Sequence, residues 1–344
     1  MFRYSAVILL LLNALPGFAA EREQISIVGS PSVLHATETI TRHFTANWNH
    51  PAPTLEITGA GAGFGRFCAG VGREHPDIKT ASRRITEAEL ATCGKNGVSA
   101  ITEIEFARDA LVLVSNVDSE SLDLTVSDLY SALAREVEVN GKIVSNATKR
   151  WQEIDPSLPA NEIRFIGPSA HSALMFTFLE KVMAAGCPQS PAVKALGEER
   201  RYRLCRDVRG ADAFREAYRT NPAHVLNSLK REPAAIGVMQ FSLYEANADT
   251  LTVHRINGVA PTTENISTGR YPLVQPVYLY VKNRHVGSIP GLQRLIYEFA
   301  SERAISDDGY LTTGTGLVPL DDIGRNRARD NAISLQPLSS LQSE

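Results

Sequence analysis

Three loops of the chain have a composition that suits the binding of an anion. They read VGSPSV (residues 28–33), TGAGAGF (58–64) and IGPSAHS (166–172), and each follows a strand-like segment and opens a helix-like one. Helix N-termini leave backbone N–H groups unpaired and carry partial positive charge, so several of them converging on one cleft form an anion site without a lysine. The alternative is that the small residues only allow helix and strand to pack closely.

Two other chemistries fit these loops less well. The glycine-rich loop lacks the G-x-G-x-x-G spacing of dinucleotide sites, because Phe64 stands where the third glycine belongs, and no P-loop lysine follows. The stretch 167–171, GPSAH, resembles a hydrolase nucleophile elbow, but His171 replaces its closing glycine. A binding protein without a cofactor is therefore predicted, and a serine hydrolase using Ser169 is the minor alternative.

The first 20 residues have the layout of a cleaved signal peptide. Arg3 precedes the apolar run 6–12, and small residues close the segment. A membrane anchor needs about 20 apolar residues, whereas this run is broken by Asn13 and Pro16. We therefore expect a secreted protein, with no stable membrane insertion once the segment is removed.

Composition narrows the class of the protein further. The chain has 344 residues, 43% of them hydrophobic, and a formal net charge of −3. This length favours two domains, and the apolar content is sufficient for real cores. No block of like charge indicates nucleic acid or a membrane surface as a partner.

The four cysteines fall in two local pairs. Cys68 and Cys93 are separated by 25 positions, and Cys187 and Cys205 by 18. An even number in an exported chain indicates disulfides, and bridges between sequence neighbours are the simplest of the three possible connectivities. No Cys-x-x-Cys and no histidine pair at metal-ligand spacing occurs, so no metal site is predicted.

The elements that must position these loops alternate between strand and helix. QISIVG and TLEITG read as strands, and ATETITRHFTANW and FGRFCAGV read as helices. DALVLVS and PVYLYV are continuous apolar runs, which are typical of strands buried on both faces in a parallel sheet. The alternation predicts an α/β architecture.

Five segments together resemble the phosphate-binding, substrate-delivering proteins of bacterial phosphate ABC importers. They are VGSPSV, GAGAGFGRFCAGVGREHPDIKTASRRI, IGPSAHSALMFTFLEKVMAAGC, GRYPLVQPVYLYV and GYLTTGTGLVPL. The resemblance implies a two-lobed periplasmic-binding-protein type II fold with two hinge-crossing strands, near 110–116 and 269–281. Lobe 1 would take 21–114 plus 272–344 and lobe 2 would take 115–271, so each lobe would hold one cysteine pair.

The resemblance also implies a set of ligand residues in lobe 1. Ser32 stands where the family usually has a threonine, next to Val33, and Ala60 and Gly61 stand in the family's Gly-Thr-Gly or Gly-Ser-Gly loop. Arg83 in ASRRI would lie at the anion. Its alternative role is a surface salt bridge with Glu87, one turn further on.

The lobe 2 helix departs from the family pattern. Where the family reads Ser-Gly-Thr-Arg, this chain reads SALM at 172–175. Either Ser169 and His171 take over, with Ser172 keeping its hydroxyl, or Leu174 and Met175 line a cleft for a different ligand. Met175 also falls at helical spacing with Phe178, Leu179 and Val182, so it is equally compatible with a core position.

These observations lead to one functional expectation. We expect a monomeric periplasmic solute-binding protein that captures an oxyanion, phosphate or a phosphate-like ligand, for the permease of an ABC importer. The alternative is a periplasmic sensory or scaffold subunit that keeps the fold and has lost phosphate binding.

Overall fold

A computed structural model describes residues 22–58, 60–170, 172–218 and 224–338 of the chain. The predicted signal peptide, 1–20, and His171 lie outside the described residues. The strands are β1 Ser26–Gly29, β2 Thr54–Ile57, β3 Ile78–Ala81, β4 Ile101–Asn116, β5 Asp123–Leu124, β6 Glu136–Val139, β7 Lys142–Ser145, β8 Phe165–Pro168, β9 Phe214–Tyr218, β10 Ile236–Gln240, β11 Leu251–Val253, β12 Arg255–Ile256 and β13 Val274–Lys282.

The helices alternate with these strands, which confirms the predicted α/β class. They are α1 Leu34–Trp48, α2 Ala60–Phe67, α3 Glu87–Lys95, α4 Val126–Leu133, α5 Ala173–Phe178, α6 Pro191–Lys194, α7 Glu198–Leu204, α8 His224–Arg231, α9 Phe241–Glu245, α10 Thr263–Ser267, α11 Leu292–Phe299, α12 Glu302–Ile305, α13 Tyr310–Thr315 and α14 Asp322–Ser334. A 3-10 turn, Pro31–Val33, precedes α1, and a π-helical segment, Leu179–Ala184, continues α5.

The main sheet is mixed, with the strand order β2-β1-β3-β13-β4-β10-β8-β9, and β11 pairs with β4. Strands β2, β1 and β3 are parallel to one another, as are β10, β8 and β9. Each parallel group therefore forms one half of the sheet, and the carboxyl ends of its strands open on the loops that the sequence singled out.

The two halves are joined by the long strands β4 and β13, which pair with each other in antiparallel register. The first half of β4 lies beside β13, and its second half pairs with β10 and β11. The expectation of a parallel environment for these two apolar runs was wrong, since β13 is antiparallel to β3 and β4 to β10. Their side chains are nevertheless buried on both faces, and burial alone produces a continuous apolar run.

Buried apolar side chains form separate clusters on the two sides of these crossing strands. One cluster draws on residues 110–274 together with Val318, and the other two draw on 25–107 and 277–332. Within the second cluster, α1 presents Ala36, Ile40 and Phe44 one turn apart on a single buried face. The exact lobe boundaries, 21–114 plus 272–344 and 115–271, stay a prediction.

Both cysteine pairs are bonded between sequence neighbours. Cys68 at the end of α2 is joined to Cys93 in α3, and Cys187 is joined to Cys205 after α7. The first bridge holds the glycine-rich helix against α3, and the second lies in the part of the chain between the crossing strands. Among the described residues, no helix has the length and apolar character needed to cross a bilayer.

Candidate functional site

A line of serine hydroxyls runs along the edge of the first lobe. Ser30 and Ser32 are linked at 2.9 Å between their Oγ atoms, and Ser32 donates to Ser82 at 2.7 Å. Each hydroxyl carries one proton, so Ser32 uses its proton on Ser82. Ser82 lines the cleft between the lobes, and because its oxygen accepts from Ser32, its own proton remains available for a ligand.

The backbone around Ser32 is set by local structure. Ser30 precedes the 3-10 turn that begins at Pro31, where the fixed φ of proline and its missing N–H suit the first position of a helical turn. Val33 buries its side chain in the first lobe, and its N–H donates to the Ser30 carbonyl at 3.1 Å. A ligand at the Val33 N–H would therefore have to displace that bond.

The glycine-rich loop supplies the beginning of α2. Ala60 is the first residue of this helix, and Gly61 is exposed, with no atom within 4 Å of the position that a Cβ would occupy. The backbone of the first turn is therefore open on the side of Gly61. Gly63 on the same turn differs, because a Cβ there would meet Lys79 Nζ at 2.5 Å and Thr58 Oγ1 at 2.6 Å.

Arg83 lies at the cleft but is already paired. Its guanidinium donates two hydrogen bonds to Glu89, at 2.9 and 2.7 Å, and lies 5.1 Å from the centre of the Phe64 ring. The bonds to Glu89 raise the pKa of Arg83. Burial raises the pKa of Glu89, but the bonds from Arg83 and Thr86 outweigh burial and leave it lowered. The salt-bridge partner is thus Glu89, not Glu87, because Glu89 is held over Arg83 by the capping box of α3.

Two further arginines at the cleft are also neutralised. Arg84 binds Glu103 at 2.9 Å, and Arg206 binds both oxygens of Glu180 at 2.8 and 3.0 Å. Arg206 also stacks on Tyr202, with 4.1 Å between the guanidinium carbon and the ring centre. The cleft therefore presents guanidinium groups without a large net positive charge.

The start of α5 faces the first lobe from the other side and lies against the turn Pro31–Val33. Ser172 is its N-cap, and the Ser172 Oγ accepts the Met175 N–H at 3.0 Å. Because Oγ acts as an acceptor there, its proton is free for another partner. Ser169 is buried at the end of β8, where its carbonyl accepts the Ser172 N–H at 2.9 Å.

Leu174 and Met175 point into the second lobe. They are 9% and 7% exposed and belong to its apolar cluster, so the third interpretation of Met175, a core residue, describes its position. The next residue, Phe176, is 45% exposed and lines the cleft instead. Of these three residues, Phe176 alone lines the cleft between the lobes, and Met175 lines a separate cavity beside Pro168 and Glu216.

The cleft itself has a volume of about 540 Å³. It is lined from one side by residues within 82–86, from the other by residues within 176–181 with Tyr202 and Arg206, and at its base by residues within 275–278 of β13. The base is tied to α5 by a bond from Gln275 Nε2 to Thr177 Oγ1 at 2.9 Å. The register of the same strand shifts between Val277 and Tyr278. The cleft therefore lies where the crossing strand is least regular.

Several cleft residues were missed by sequence reasoning. Ser82 lies inside the quoted motif ASRRI, directly before Arg83, and the hydroxyl beside the arginine was a usable signal. Lys79 does not line the cleft, but it carried a signal too, since it is a charged residue within the buried strand β3. Phe176 and Gln275 carried no signal, because their position depends on the packing of α5 against β13.

Two alternative chemistries gain no support from the described part of the chain. No cluster of three metal-ligating side chains occurs there. Ser169 Oγ has no side-chain hydrogen-bond partner among the described residues, so a nucleophile activated by a base is not seen.

Comparison with known proteins places this architecture in a family. The model of the PBP superfamily domain matches residues 16–303. Protein SphX of Synechococcus elongatus is 27% identical over 308 residues, which cover 88% of this chain and 79% of SphX. The phosphate-binding protein PstS of Staphylococcus saprophyticus is 24% identical over 298 residues, which cover 85% of this chain and 79% of PstS.

Solved structures share the fold at lower identity. A possible phosphate binding protein from Planctomyces limnophilus has a TM-score of 0.66 and 21% identity, covering 91% of this chain and 98% of its own. An ABC-type phosphate transport receptor from Vibrio cholerae has a TM-score of 0.61 and 16% identity, and the match covers 86% of this chain and 99% of the receptor. The predicted two-lobed fold with two crossing strands is thereby confirmed, and the chain belongs to the PBP superfamily.

Proposed function

We propose that this chain is a periplasmic solute-binding protein that captures phosphate and delivers it to the permease of an ABC importer. Its relatives include a phosphate-binding protein, PstS, and its fold is shared with a phosphate transport receptor. The proposal includes removal of residues 1–20 as a signal peptide, a monomer in the periplasm, and binding without catalysis.

The observations that support the proposal are a serine hydroxyl on the cleft wall of the first lobe, Ser82, and a serine N-cap, Ser172, on the second-lobe helix that packs against the turn Pro31–Val33. On the first lobe, the order of donation from Ser32 to Ser82 leaves the Ser82 proton available. On the second lobe, Ser172 accepts from the Met175 N–H and keeps its proton available. A tetrahedral oxyanion offers acceptors in several directions, so it can accept from both lobes at once and hold them closed.

The remaining ligand residues belong to the same proposal. Ser32, Val33, Ala60 and Gly61 would contribute through the two loops, Arg83 through its guanidinium, and Ser169, His171 and Ser172 from the second lobe. Of these, Ser32 would act indirectly, by fixing the direction in which Ser82 donates.

Isothermal calorimetry tests the proposal directly. Mature protein freed of bound ligand by unfolding and refolding is titrated with phosphate and, separately, with sulfate. Ser82→Ala should weaken phosphate binding by about tenfold, since one charged hydrogen bond contributes about 1.5 kcal/mol or more. The matched control is Ser121→Ala, which removes an exposed hydroxyl that donates to the Val253 carbonyl.

The result also separates the two functional classes. A folded wild-type protein that releases no heat with phosphate up to millimolar concentration would overturn the binding proposal. That outcome favours a sensory or scaffold subunit, for which the burial of Met175 at the family's arginine position is the supporting observation.

A further inference from the structure

Lys79 is a fully buried lysine whose ammonium has no partner among the described residues. It stands in β3 between Val28 of β1 and Tyr280 of β13 and is 0% exposed. Among the described residues Nζ has no hydrogen-bond partner, and it lies over the ring of Phe64, 5.6 Å from the ring centre. An ammonium has three donors, and burying it unpaired opposes folding.

A second orphan group lies beside this ammonium. The Thr58 hydroxyl is buried and has no hydrogen-bond partner within the described ranges. Lys79 Nζ and Thr58 Oγ1 lie 2.5 and 2.6 Å from one point, the position of a Cβ on Gly63, so the two polar atoms are close neighbours. Only the absence of a side chain at Gly63 leaves room for both.

This pair lies directly behind the anion loops. The Thr58 N–H donates to the Gly29 carbonyl at 2.9 Å, and Gly29 immediately precedes Ser30. The Cβ position of Gly63 is close to both polar atoms, so the first turn of α2, which reads AGAG at 60–63, packs against the pair. Lys79 itself lies within β3, but Thr58 directly follows β2, so the polar pair reaches the carboxyl end of that parallel strand, the edge at which ligands of such sheets bind.

The other buried lysine among the described residues and two arginines of the cleft have partners that Lys79 lacks. Lys282 is similarly buried and lies 5.1 Å from the Phe67 ring, but its Nζ donates to the Gly70 carbonyl at 2.6 Å. The cleft arginines Arg83 and Arg206 bind Glu89 and Glu180. Packing alone does not explain Lys79, because the fold satisfies a comparable lysine elsewhere.

We propose that Lys79, with Thr58, is a concealed part of the anion site that supplies positive charge to the bound oxyanion from beneath the first turn of α2. The inference rests on the proposed function and deepens it. It also accounts for the methionine at position 175, where the family pattern has an arginine, since the positive charge missing from the second lobe is replaced by Lys79 in the first lobe.

The titration of Lys79 gives the inference a pH signature. Burial lowers the pKa of Lys79 to about 8, Arg83 lowers it and Glu89 raises it. From β13 the facing group is Tyr280, whose hydroxyl donates to Glu103, and β1 offers the uncharged Val28. An anion raises the pKa of a lysine that it binds, so affinity falls as pH rises above about 8, approaching tenfold per pH unit.

The test compares Lys79→Met with Lys282→Met, since each change removes one buried ammonium and keeps an apolar chain of similar length. Calorimetric titrations with phosphate, sulfate and methylphosphonate at pH 7 and pH 9 are combined with melting temperatures of the ligand-free proteins. Lys79→Met should weaken phosphate binding at pH 7 by about ten- to one-hundredfold and raise the ligand-free melting temperature. Lys282→Met should keep the wild-type affinity and its pH dependence, but melt lower.

Each other outcome is decisive. If Lys79→Met binds phosphate as wild type does, the inference is overturned and the proposed function stands. If the wild type ignores phosphate but binds sulfate or methylphosphonate in a Lys79-dependent manner, the inference stands and the ligand assignment fails. If the wild type binds none of the three anions, both are overturned. A Lys79→Met protein that melts lower and binds normally would show that Lys79 serves packing.

Discussion

Replacing Glu89 by glutamine should strengthen the binding of phosphate. In the structure, Glu89 accepts two hydrogen bonds from Arg83 and neutralises the guanidinium of this residue, which follows Ser82 in the chain. Glutamine has the same shape and can still accept from the Thr86 N–H, so the capping box of α3 is retained. The substitution therefore removes one negative charge from the cleft with little change in backbone structure.

The expected magnitude follows from Coulomb's law. An anion on the far face of the guanidinium lies about 7 Å from the Glu89 carboxylate, and at an effective dielectric constant of about 20–40 the removed repulsion is about 1–2 kcal/mol. Phosphate should therefore bind about tenfold more tightly at low ionic strength, and the gain should shrink as salt is added. Loss of the half-buried ion pair should lower the free energy of unfolding by about 1 kcal/mol.

The assay is calorimetric titration with phosphate at two salt concentrations, together with urea unfolding. Glu105→Gln is the matched control, because Glu105 binds Arg108 at 2.6 Å and this ion pair is as buried as the pair of Arg83 and Glu89. The side chains are 21–23% exposed in the control pair and 20–22% exposed in the cleft pair. The control should lose similar stability and gain little affinity. If Glu89→Gln leaves phosphate affinity unchanged or reduces it, Arg83 does not act on the ligand and the cleft electrostatics derived above are wrong.

Two other predictions concern stability and access to the site. Burial lowers the pKa of His254 to about 4, and its Nδ1 accepts the Leu122 N–H at 3.0 Å, so the folded protein holds it neutral. The contribution of neutral His254 to the free energy of unfolding should therefore be fully present above pH 6.5 and fall by up to about 3 kcal/mol as the pH drops towards 4. Urea midpoints measured against pH should show this slope, and His254→Asn should flatten it. Gly63→Ala should displace Lys79 Nζ and weaken phosphate binding severalfold, whereas Gly65→Ala, with no atom within 4 Å of the new Cβ, should bind normally in the same calorimetric assay.

Much of the fold could be predicted because it depends on local patterns. The alternation of apolar runs gives strands and helices, and three loops at the ends of strands give helix N-termini at the carboxyl edges. The direction of β4 and β13 could not be read in the same way. A strand buried on both faces has the same composition whether its neighbours are parallel or antiparallel.

The site was harder to predict, because it depends on contacts between distant residues. Arg83 lines the cleft, its contact with an anion stays a prediction, and its ion-pair partner is Glu89, which the capping box of α3 holds in place, instead of the expected Glu87. The bond between Gln275 and Thr177 joins residues 98 positions apart, and no spacing in the sequence indicates it. Lys79 was visible as a charge within a strand, yet only the structure shows that its ammonium has no acceptor among the described residues.

The start of α5 provides the last prediction, because the structure changes which residue should be altered there. On the family pattern, an arginine at Met175 would restore a guanidinium, but Met175 is 7% exposed within the apolar cluster of the second lobe. Met175→Arg should therefore lower the free energy of unfolding by about 2 kcal/mol or more, since it buries a charge among apolar side chains.

Phe176→Arg is the matched change one position further on. Phe176 is 45% exposed and lines the cleft that Ser82 lines from the other lobe, so a guanidinium there can reach an anion without entering the core. Phosphate should bind about tenfold more tightly, because a charged hydrogen bond contributes about 1.5–3 kcal/mol and part of it offsets the ordering of the long side chain. Urea unfolding should change by less than about 1 kcal/mol. The opposite pattern, a stable Met175→Arg protein with tighter binding and a Phe176→Arg protein with none, would mean that the helix presents residue 175 to the cleft, and that the missing charge of this site belongs to the second lobe after all.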